Sequence, residues 1–423
     1  MTQEDTIALA LSLSMLLATG LIFGALARHF HLPLVLGELI GGVVLGPTLI
    51  RRFIPLPFAK LYPTTGTVAI GRDAFIQLGL LFFLFTAGQQ MNLPALRRLG
   101  RSVLWTSGLG IAIPFGLGFL MVVAAPERWA AHIELPTSGA ALFIGTALSI
   151  SALPVIARVL FDLGLARREL GALVLSSATL DDLVGWSLFA AILGSFTPLA
   201  ASRFPPWASI LPILGFAALV LTLGRFIVRQ VRARIPAQRV GARIGVATLL
   251  WLLAAAAAEW MGVHAIVGAF LVGLALTHDD DEPDASTEPV HQFALGIFAP
   301  IYFVSLGLKT DFASNFDLGL VALILVIACL GKIIGATLGA RLGGIAWRPS
   351  WAVGFGMNAR GAMEIILASV ALEQHLIDER LFVALVVMAL VTSLLSGPVM
   401  ARLLAGHPQL ERTSPQVEAT RPS

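Results

Sequence analysis

The stretch SSATLDDLVGWSLFA (residues 176–190) places Asp181 and Asp182 side by side at the centre of an apolar window that otherwise carries no charge. A charged side chain at the centre of a membrane helix costs roughly 2.5–3.5 kcal/mol even on the lowest scales. Adjacent carboxylates also repel each other. If this stretch crosses a membrane, the pair therefore predicts a functional site inside the membrane and excludes a lipid-facing surface.

The whole chain has the composition of an integral membrane protein. Of its 423 residues, 57% are hydrophobic and 13% are charged, and the mean hydropathy is +0.87. These values exclude an ordinary soluble domain. The apolar windows are long enough to cross a bilayer as helices, and their Gly, Ala and Leu content argues against a β-barrel. We therefore predict an all-α polytopic membrane protein, in which the single cysteine, Cys329, forms no internal disulfide.

Apolar windows between charged or proline-rich breaks predict thirteen membrane spans. They are 7–27, 33–50, 74–92, 103–124, 139–163, 170–196, 208–228, 241–260, 264–277, 292–308, 318–344, 350–372 and 381–404. With the N-terminus outside, 18 Lys and Arg residues fall on the inner side and 8 on the outer side, as the positive-inside rule expects. We therefore predict a cytoplasmic C-terminus in a cell inner (plasma) membrane. The acidic loop 278–290 is interpreted as a solvated connection, with cation attraction or pH sensing as the alternative.

Three more ionisable residues share the depth of the aspartate pair. Lys332 lies at the centre of the window 318–344 and Arg360 at the centre of 350–372, with Glu364 one turn further along the same helix face. Three acids and two bases leave a net charge of −1, which one monovalent cation or one proton neutralises. A purely structural salt-bridge cluster is the alternative. Apolar packing is often as stable as such a cluster, so an ion-binding site is favoured.

Two spans contain helix breakers at this depth. GTALSISALPVIARVL (145–160) carries Pro154, and GFGMNARGAMEIILA (354–368) carries three glycines. Proline removes a backbone donor and glycine loosens a helix, so both spans are predicted to be interrupted in mid-membrane. Each precedes the last span of a six-span half, and the window 208–228 joins the halves in opposite orientation. Broken helices at matching positions of two halves point to a midplane site in an inverted-repeat transporter.

Six motifs in order resemble one family, the monovalent cation:proton antiporters, especially their Kef and CHX-like branch. The motifs are LPLVLGELIGGVVLGP, ALSISALPVIARVLFDLGL, LSSATLDDLVGW, PIYFVSLGLKTDF, CLGKIIGATLGARL and GMNARGAMEIILA. The resemblance covers nearly all of residues 7–404. It implies the fold of the NhaA- and NapA-like antiporters, with inverted repeats and two crossed broken helices, in a homodimer whose core domain moves the ion in an elevator-like motion.

The same resemblance implies a division of the chain. It assigns scaffold and dimerisation helices to 1–100 and 240–310, a linker helix to 205–233, the two halves of the transport core to 101–197 and 317–405, and a disordered cytoplasmic tail to 406–423.

Roles in ion binding follow from the resemblance by motif position. Asp182 is expected to be the exchanging carboxylate, and Asp181 the partner of Lys332. Ser149 and Ser151, with carbonyl groups of the span broken near Pro154, are expected to complete an oxygen shell for a monovalent cation at Asp182, because hard cations prefer oxygen ligands.

A second group of residues is expected to support the site. Asn358 and the pair Arg360 and Glu364 lie at the second break, and Glu364 is expected mainly to neutralise Arg360. For Glu38 in LGELIGG, a packing or dipole role and an ion-entry role remain equally open. The sequence departs from the family where Gln89 and Gln90 stand in place of a common acid.

The predicted activity is exchange of Na⁺ or K⁺ for protons, because one partly desolvated carboxylate holds either a proton or a cation. No cofactor, no enzymatic activity and no nucleic-acid partner are expected. A sodium-coupled carrier of organic anions and a cation channel remain alternatives. A membrane aspartyl protease is disfavoured, because Asp181 and Asp182 point about 100° apart on one helix, whereas a protease needs both carboxylates facing one substrate.

Overall fold

The computed structural model of the chain describes residues 1–30, 34–53, 58, 61–89, 100–165, 168–196, 210–235, 239–261, 265–276 and 287–405. Within these ranges the regular structure is mainly helical, and an isolated antiparallel bridge joins Ile133 to Ile377. Nine of the described helical segments are long and apolar enough to cross a membrane, and shorter apolar helices accompany them. The predicted all-α polytopic class is therefore confirmed.

Each predicted span coincides with one helix or with consecutive helical segments. In chain order the helices are α1 Gln3–His29, α2 Leu34–Leu45, α3 Ile50–Phe53, α4 Thr67–Gln89, α5 Arg101–Ala124, α6 Pro126–Ala130, α7 Thr137–Ser149, α8 Leu153–Asp162, α9 Glu169–Phe196, α10 Ile210–Arg234, α11 Val240–Trp260, α12 Ala265–Ala275, α13 Thr287–Phe293, α14 Ala299–Lys309, α15 Leu318–Leu342, α16 Trp347–Met357, α17 Ala362–Glu373 and α18 Glu379–Leu404. A π-helical segment, Ala294–Phe298, joins α13 to α14. The predicted interruptions are present between α7 and α8 and between α16 and α17.

Charged residues at helix ends shifted two predicted boundaries. Helix α4 begins at Thr67 rather than at residue 74. The predicted window excluded Arg72 and Asp73 because they are charged, but both lie inside the helix, where they pair at 3.3 Å. Helix α10 continues to Arg234 rather than ending at residue 228. Arginine is a good helix former whose apolar stem covers hydrophobic surface, so charge ends a membrane window without ending the helix.

The chain divides into two compact units. The first unit comprises Met1–Pro94 and Leu193–Ser314, and the second unit comprises Ala95–Ile192 and Asn315–Ser423. The scaffold, linker and core roles that the resemblance assigns to parts of the chain stay predictions at this point. The predicted tail 406–423 and the connection 197–209 lie outside the described residues.

In the first unit, close backbone contact and aromatic packing hold the helices together. Helix α2 lies directly against α14, since a Cβ atom added to Gly42 would come within 2.1 Å of the carbonyl oxygen of Val304. Phe82 stacks on Phe298 with ring centroids 5.1 Å apart and meets Trp251 edge-on at 4.9 Å. Small residues at such contacts let membrane helices approach closely and gain van der Waals contact.

In the second unit, a stripe of glycines on α15 packs against α5. A Cβ atom at Gly335 would come within 2.4 Å of the Leu109 carbonyl oxygen, and one at Gly339 within 2.2 Å of the Trp105 carbonyl oxygen. Only glycine permits this approach, which is the small-residue packing typical of membrane helices. The contact places the middle of α5 beside Lys332 on α15.

One end of the second unit is closed by hydrogen bonds between two loops. The Nδ1 atom of His132 lies 2.8 Å from an Asp378 carboxylate oxygen, and the N–H of Asp378 donates to the His132 carbonyl at 2.9 Å. Asp378 also accepts from the N–H of Leu381 and so caps α18. Asp317 caps α15 in the same way, and the N–H of Leu320 holds the pKa of that carboxyl below its usual range.

Candidate ion-binding site

The two interrupted spans meet at their breaks. The N–H of Ala152 in the first break donates to the carbonyl oxygen of Ala359 in the second break at 2.9 Å. The hydroxyl oxygen of Ser151 lies 2.9 Å from the carbonyl oxygen of Met357 and 2.9 Å from a carboxylate oxygen of Asp181, and its single proton is shared between these two acceptors. Backbone groups that the interruptions leave without helical partners are thereby satisfied across the contact, as burial in a membrane requires.

Two basic side chains cap the C-terminal end of α7. The guanidinium of Arg360 donates to the carbonyl oxygens of Ala147 at 2.9 Å, Leu148 at 2.5 Å and Ile150 at 3.3 Å. The ammonium of Lys332 donates to the carbonyl oxygen of Ser149 at 2.6 Å. A helix C-terminus carries partial negative charge and unpaired carbonyl groups, so both cations lie where the backbone stabilises them.

Asp181 is a fully satisfied carboxylate. It forms an ion pair with Lys332 and accepts hydrogen bonds from the hydroxyls of Ser107 at 2.5 Å and Ser151 at 2.9 Å. All four side chains are buried. A buried charge is tolerated when it is paired and its remaining lone pairs are hydrogen-bonded, and Asp181 meets both conditions.

Asp182, the next residue, has the opposite environment. Its side chain is as buried as that of Asp181, with 1% relative exposure for each residue. Among the described residues, neither carboxylate oxygen of Asp182 has a hydrogen-bond partner. The N–H of Leu153, at the start of α8, lies near this carboxylate but does not complete a hydrogen bond with it. Asp182 is therefore a buried acid whose carboxylate is unsatisfied by the described residues.

The second break carries a smaller polar group. Arg360 pairs with Glu364 at 3.2 Å, and the hydroxyl of Ser393 donates to the Arg360 carbonyl oxygen. The amide of Asn358 donates to the sulfur of Cys329 at 3.4 Å. Within the described part of the chain, the Asn358 side-chain carbonyl and one Glu364 oxygen have no hydrogen-bond partner. These unpaired acceptors add to the negative potential at the break.

The structure thus brings Asp181, Asp182, Lys332, Arg360 and Glu364 together at the two breaks; we call these five residues the midplane cluster. Ser149 contacts the cluster through its backbone carbonyl group, which accepts a hydrogen bond from Lys332. Its hydroxyl points elsewhere and donates to the carbonyl of Thr146 in its own helix at 2.9 Å. Its predicted role in an oxygen shell remains a prediction.

Two other predicted residues lie apart from these contacts. Pro154 is in the first turn of α8, where its missing N–H costs no helical hydrogen bond, and its side chain is outside the described ones. Glu38 belongs to the first unit, on α2, where one of its buried carboxylate oxygens has no partner among the described residues. Gln89 ends α4, and Gln90 lies outside the described residues.

Ser107 is a site residue that sequence reasoning missed. We expect Ser107→Ala to lower the free energy of unfolding by about 1.5–3 kcal/mol, the range for hydrogen bonds to charged groups. Thermal or denaturant unfolding of the purified protein measures this. The matched control is Ser396→Ala, which removes a buried hydroxyl that donates only to the carbonyl of Thr392 in its own helix. An equal decrease in the free energy of unfolding in both variants would show that the hydrogen bond from Ser107 to Asp181 stabilises the protein no more than an ordinary buried hydroxyl does.

Two interrupted helices that meet at their breaks, with an unpaired buried acid beside a paired one, are an arrangement typical of membrane transporters of the inverted-repeat class. The chain belongs to the sodium/hydrogen exchanger family, whose transmembrane region matches residues 14–406. This finding confirms the resemblance on which the sequence interpretation rested.

Individual relatives agree with this assignment. The chain is 30% identical to the Na⁺/H⁺ antiporter NhaS4 of Synechocystis over 90% of its own length and 93% of the relative. It is 33% identical to cation/H⁺ antiporter 18 of Arabidopsis thaliana over 90% of its own length but 47% of the relative. The chain thus spans about half the length of the plant relatives it matches.

The fold also matches a solved structure, that of a sodium proton antiporter from Methanocaldococcus jannaschii, with a TM-score of 0.65. The match covers 97% of this chain and 100% of the other chain at 18% sequence identity. It shows that the two proteins share the fold of the Na⁺/H⁺ antiporters.

Proposed function

We propose that the protein is a secondary active antiporter that exchanges a monovalent cation, Na⁺ or K⁺, for protons across the membrane. The observation that carries the proposal is the contrast between two adjacent buried aspartates. Asp181 already has Lys332 and two hydroxyls as partners, whereas Asp182 has no hydrogen-bond partner among the described residues. A buried carboxylate without a partner binds whichever cation reaches it, so protons and metal ions compete for Asp182.

Charge balance explains why the competition leads to exchange. The midplane cluster has three acids and two bases, and its net charge of −1 is neutralised by one proton or by one monovalent cation. A site that crosses the membrane only when it is neutral must carry one or the other in each direction. A proton gradient then drives the cation the opposite way, without a cofactor.

The motion we propose is elevator-like. All five residues of the midplane cluster belong to the second unit, so this unit is proposed to carry the bound ion while the first unit forms a fixed scaffold in a homodimer. The cation preference is proposed from the relatives' names, which specify Na⁺/H⁺ exchange for the protein from Synechocystis and K⁺/H⁺ exchange for a relative from Saccharomyces cerevisiae.

Reconstitution of the full chain into liposomes that contain a pH dye tests the exchange. We expect external Na⁺ or K⁺ to move protons out of acid-loaded liposomes, and choline to have no effect. Li⁺ is added as a third cation to define selectivity. Sodium-dependent uptake of an organic anion, or cation flux without proton movement, would instead favour the carrier or the channel.

The proposed orientation in a plasma membrane is tested with reporters. A reporter fused after Leu404 is expected to be cytoplasmic and one at Thr2 external, because the arginine distribution places the inner side there. Protease protection or a pair of compartment-specific reporters measures this. Both reporters on one side would mean an even number of spans and would contradict the inverted orientation of the two halves.

A further inference from the structure

We propose that the first unit contains a binding site for one anionic phospholipid. The acyl chain would lie between α10, α11 and α12, and the headgroup would bind Arg234 and Arg239. An apolar groove with a volume of about 240 Å³ runs between these three helices. Every residue that lines it is apolar or glycine, among them Leu223, Leu250, Ala257 and Ala275. A groove of this kind in a membrane protein accepts hydrocarbon and offers no hydrogen-bond partner to a polar ligand.

The length of the groove fits one leaflet of a bilayer. Along α10 the lining residues extend from Phe216 to Ile227, which at 1.5 Å per residue is about 16 Å. Half of a hydrocarbon core of about 30 Å is about 15 Å. The groove therefore has the length of an acyl chain that begins at one membrane surface and ends near the midplane.

Positive charge is concentrated in the part of the sequence around and after Ile227, the last groove residue of α10. The segment 225–243 contains six arginines and no acidic residue, and α10 continues beyond the groove to Arg234. The side chains of Arg234 and Arg239 are exposed. Arg243, two turns before the groove residue Leu250 on α11, donates to the carbonyl of Ile235 at 2.9 and 3.1 Å and fastens the connection between the two helices.

This charge pattern selects the headgroup. A phosphate with net negative charge binds roughly fivefold more tightly for each nearby Arg or Lys at a membrane surface. A zwitterionic lipid gains much less, because its cationic group lies beside its phosphate. A phosphate that is joined to an acyl chain is the ligand that fits both the apolar groove and the arginines beyond it.

Native mass spectrometry of the full chain tests the proposal, with phosphatidylglycerol, phosphatidylcholine and glycerol phosphate as probes. We expect one phosphatidylglycerol to bind more tightly than phosphatidylcholine, and no binding of glycerol phosphate alone. The double variant Arg234→Gln and Arg239→Gln should bind phosphatidylglycerol about thirtyfold more weakly, since each arginine contributes roughly fivefold. The matched double variant Arg51→Gln and Arg52→Gln, at exposed arginines of α3 away from the groove, should bind it unchanged.

A second pair of variants tests the groove itself. Ala257→Phe fills the groove, whereas Ala256→Phe places the same ring on the exposed face of α11 outside it. Displacing two methylene groups of the acyl chain should weaken binding of phosphatidylglycerol by about fifteenfold in Ala257→Phe only. Equal binding of the two lipids to the wild type, equal effects of the two phenylalanines, or binding of glycerol phosphate alone would overturn the lipid site. Because the readout is lipid binding, failure of the proposed ion exchange would leave this result unaffected.

Discussion

Asp182→Asn is expected to abolish cation-driven proton movement in liposomes while leaving the folded protein at least as stable as the wild type. The amide is nearly isosteric with the carboxylate but binds neither a proton nor a cation strongly enough to exchange them. No hydrogen bond of the described structure is lost, because both carboxylate oxygens of Asp182 lack partners there. Replacing a buried unpaired charge by a neutral group also removes its desolvation cost.

The control for this prediction is the neighbouring residue. Asp181→Asn is the same substitution at the same burial, but it leaves the ammonium of Lys332 without its carboxylate partner. We therefore expect Asp181→Asn to lower the unfolding temperature and Asp182→Asn not to lower it. Proton flux in liposomes and the unfolding temperature are measured for both variants and compared with the wild type. Wild-type exchange by Asp182→Asn would show that Asp182 is not the transported carboxylate.

The sequence identified the helices that carry the site because membrane burial makes charge conspicuous. Asp181, Asp182, Lys332, Arg360 and Glu364 were visible as charges at the centres of apolar windows, and the cost of placing charge there made chance an implausible explanation. Proline and glycine marked the two interrupted spans for a similar reason, since each weakens the helical hydrogen bonding that a membrane otherwise enforces.

The contacts inside the site could not be predicted in the same way. Whether Asp181 or Asp182 lacks a partner depends on which side of α9 faces the break and α5, and periodicity along one helix does not contain that information. The pairing of Asp181 with Lys332 was expected from the family resemblance alone. The capping of α7 by Arg360 joins residues more than two hundred positions apart in the chain, so it exists only once the two spans cross. The sequence alone located both breaks, but it did not show that the side chains of Arg360 and Lys332 donate to the unpaired carbonyl groups at the end of α7.

Ser107 shows the limit most clearly. A serine in an apolar helix is common and has no charge to draw attention, because its hydroxyl can bond within its own helix, as that of Thr106 does to the Ser102 carbonyl at 2.7 Å. The one available signal was the glycine stripe around Lys332, which predicts a close helix neighbour but does not identify it. The direct bond to Asp181 became visible only with the packing of α5 on α15.

Lys332→Gln is expected to destabilise the protein by about 3–5 kcal/mol, because removing one partner of a buried ion pair leaves the other charge uncompensated. The double variant Asp181→Asn and Lys332→Gln should recover most of this loss, since two neutral amides of similar size replace the pair. It also keeps the net charge of the midplane cluster at −1, because one acid and one base are removed together. Exchange through Asp182 should therefore persist in the double variant, and its absence would mean that the pair itself takes part in transport.

Voltage dependence then decides what Lys332 does during the cycle. If its ammonium releases a proton each time a cation binds, more than one proton moves per cation, and a membrane potential drives transport in the wild type but much less in Lys332→Gln. Liposomes with a potential clamped by K⁺ and valinomycin, and with Na⁺ as the transported cation, measure this. In Lys332→Gln we expect the unpaired Asp181 to hold a proton permanently, which keeps the net charge of the midplane cluster at −1, so both proteins retain exchange through Asp182. Equal voltage dependence in wild type and variant would contradict a proton-carrying role and leave Lys332 as the structural partner of Asp181 and the cap of the Ser149 carbonyl.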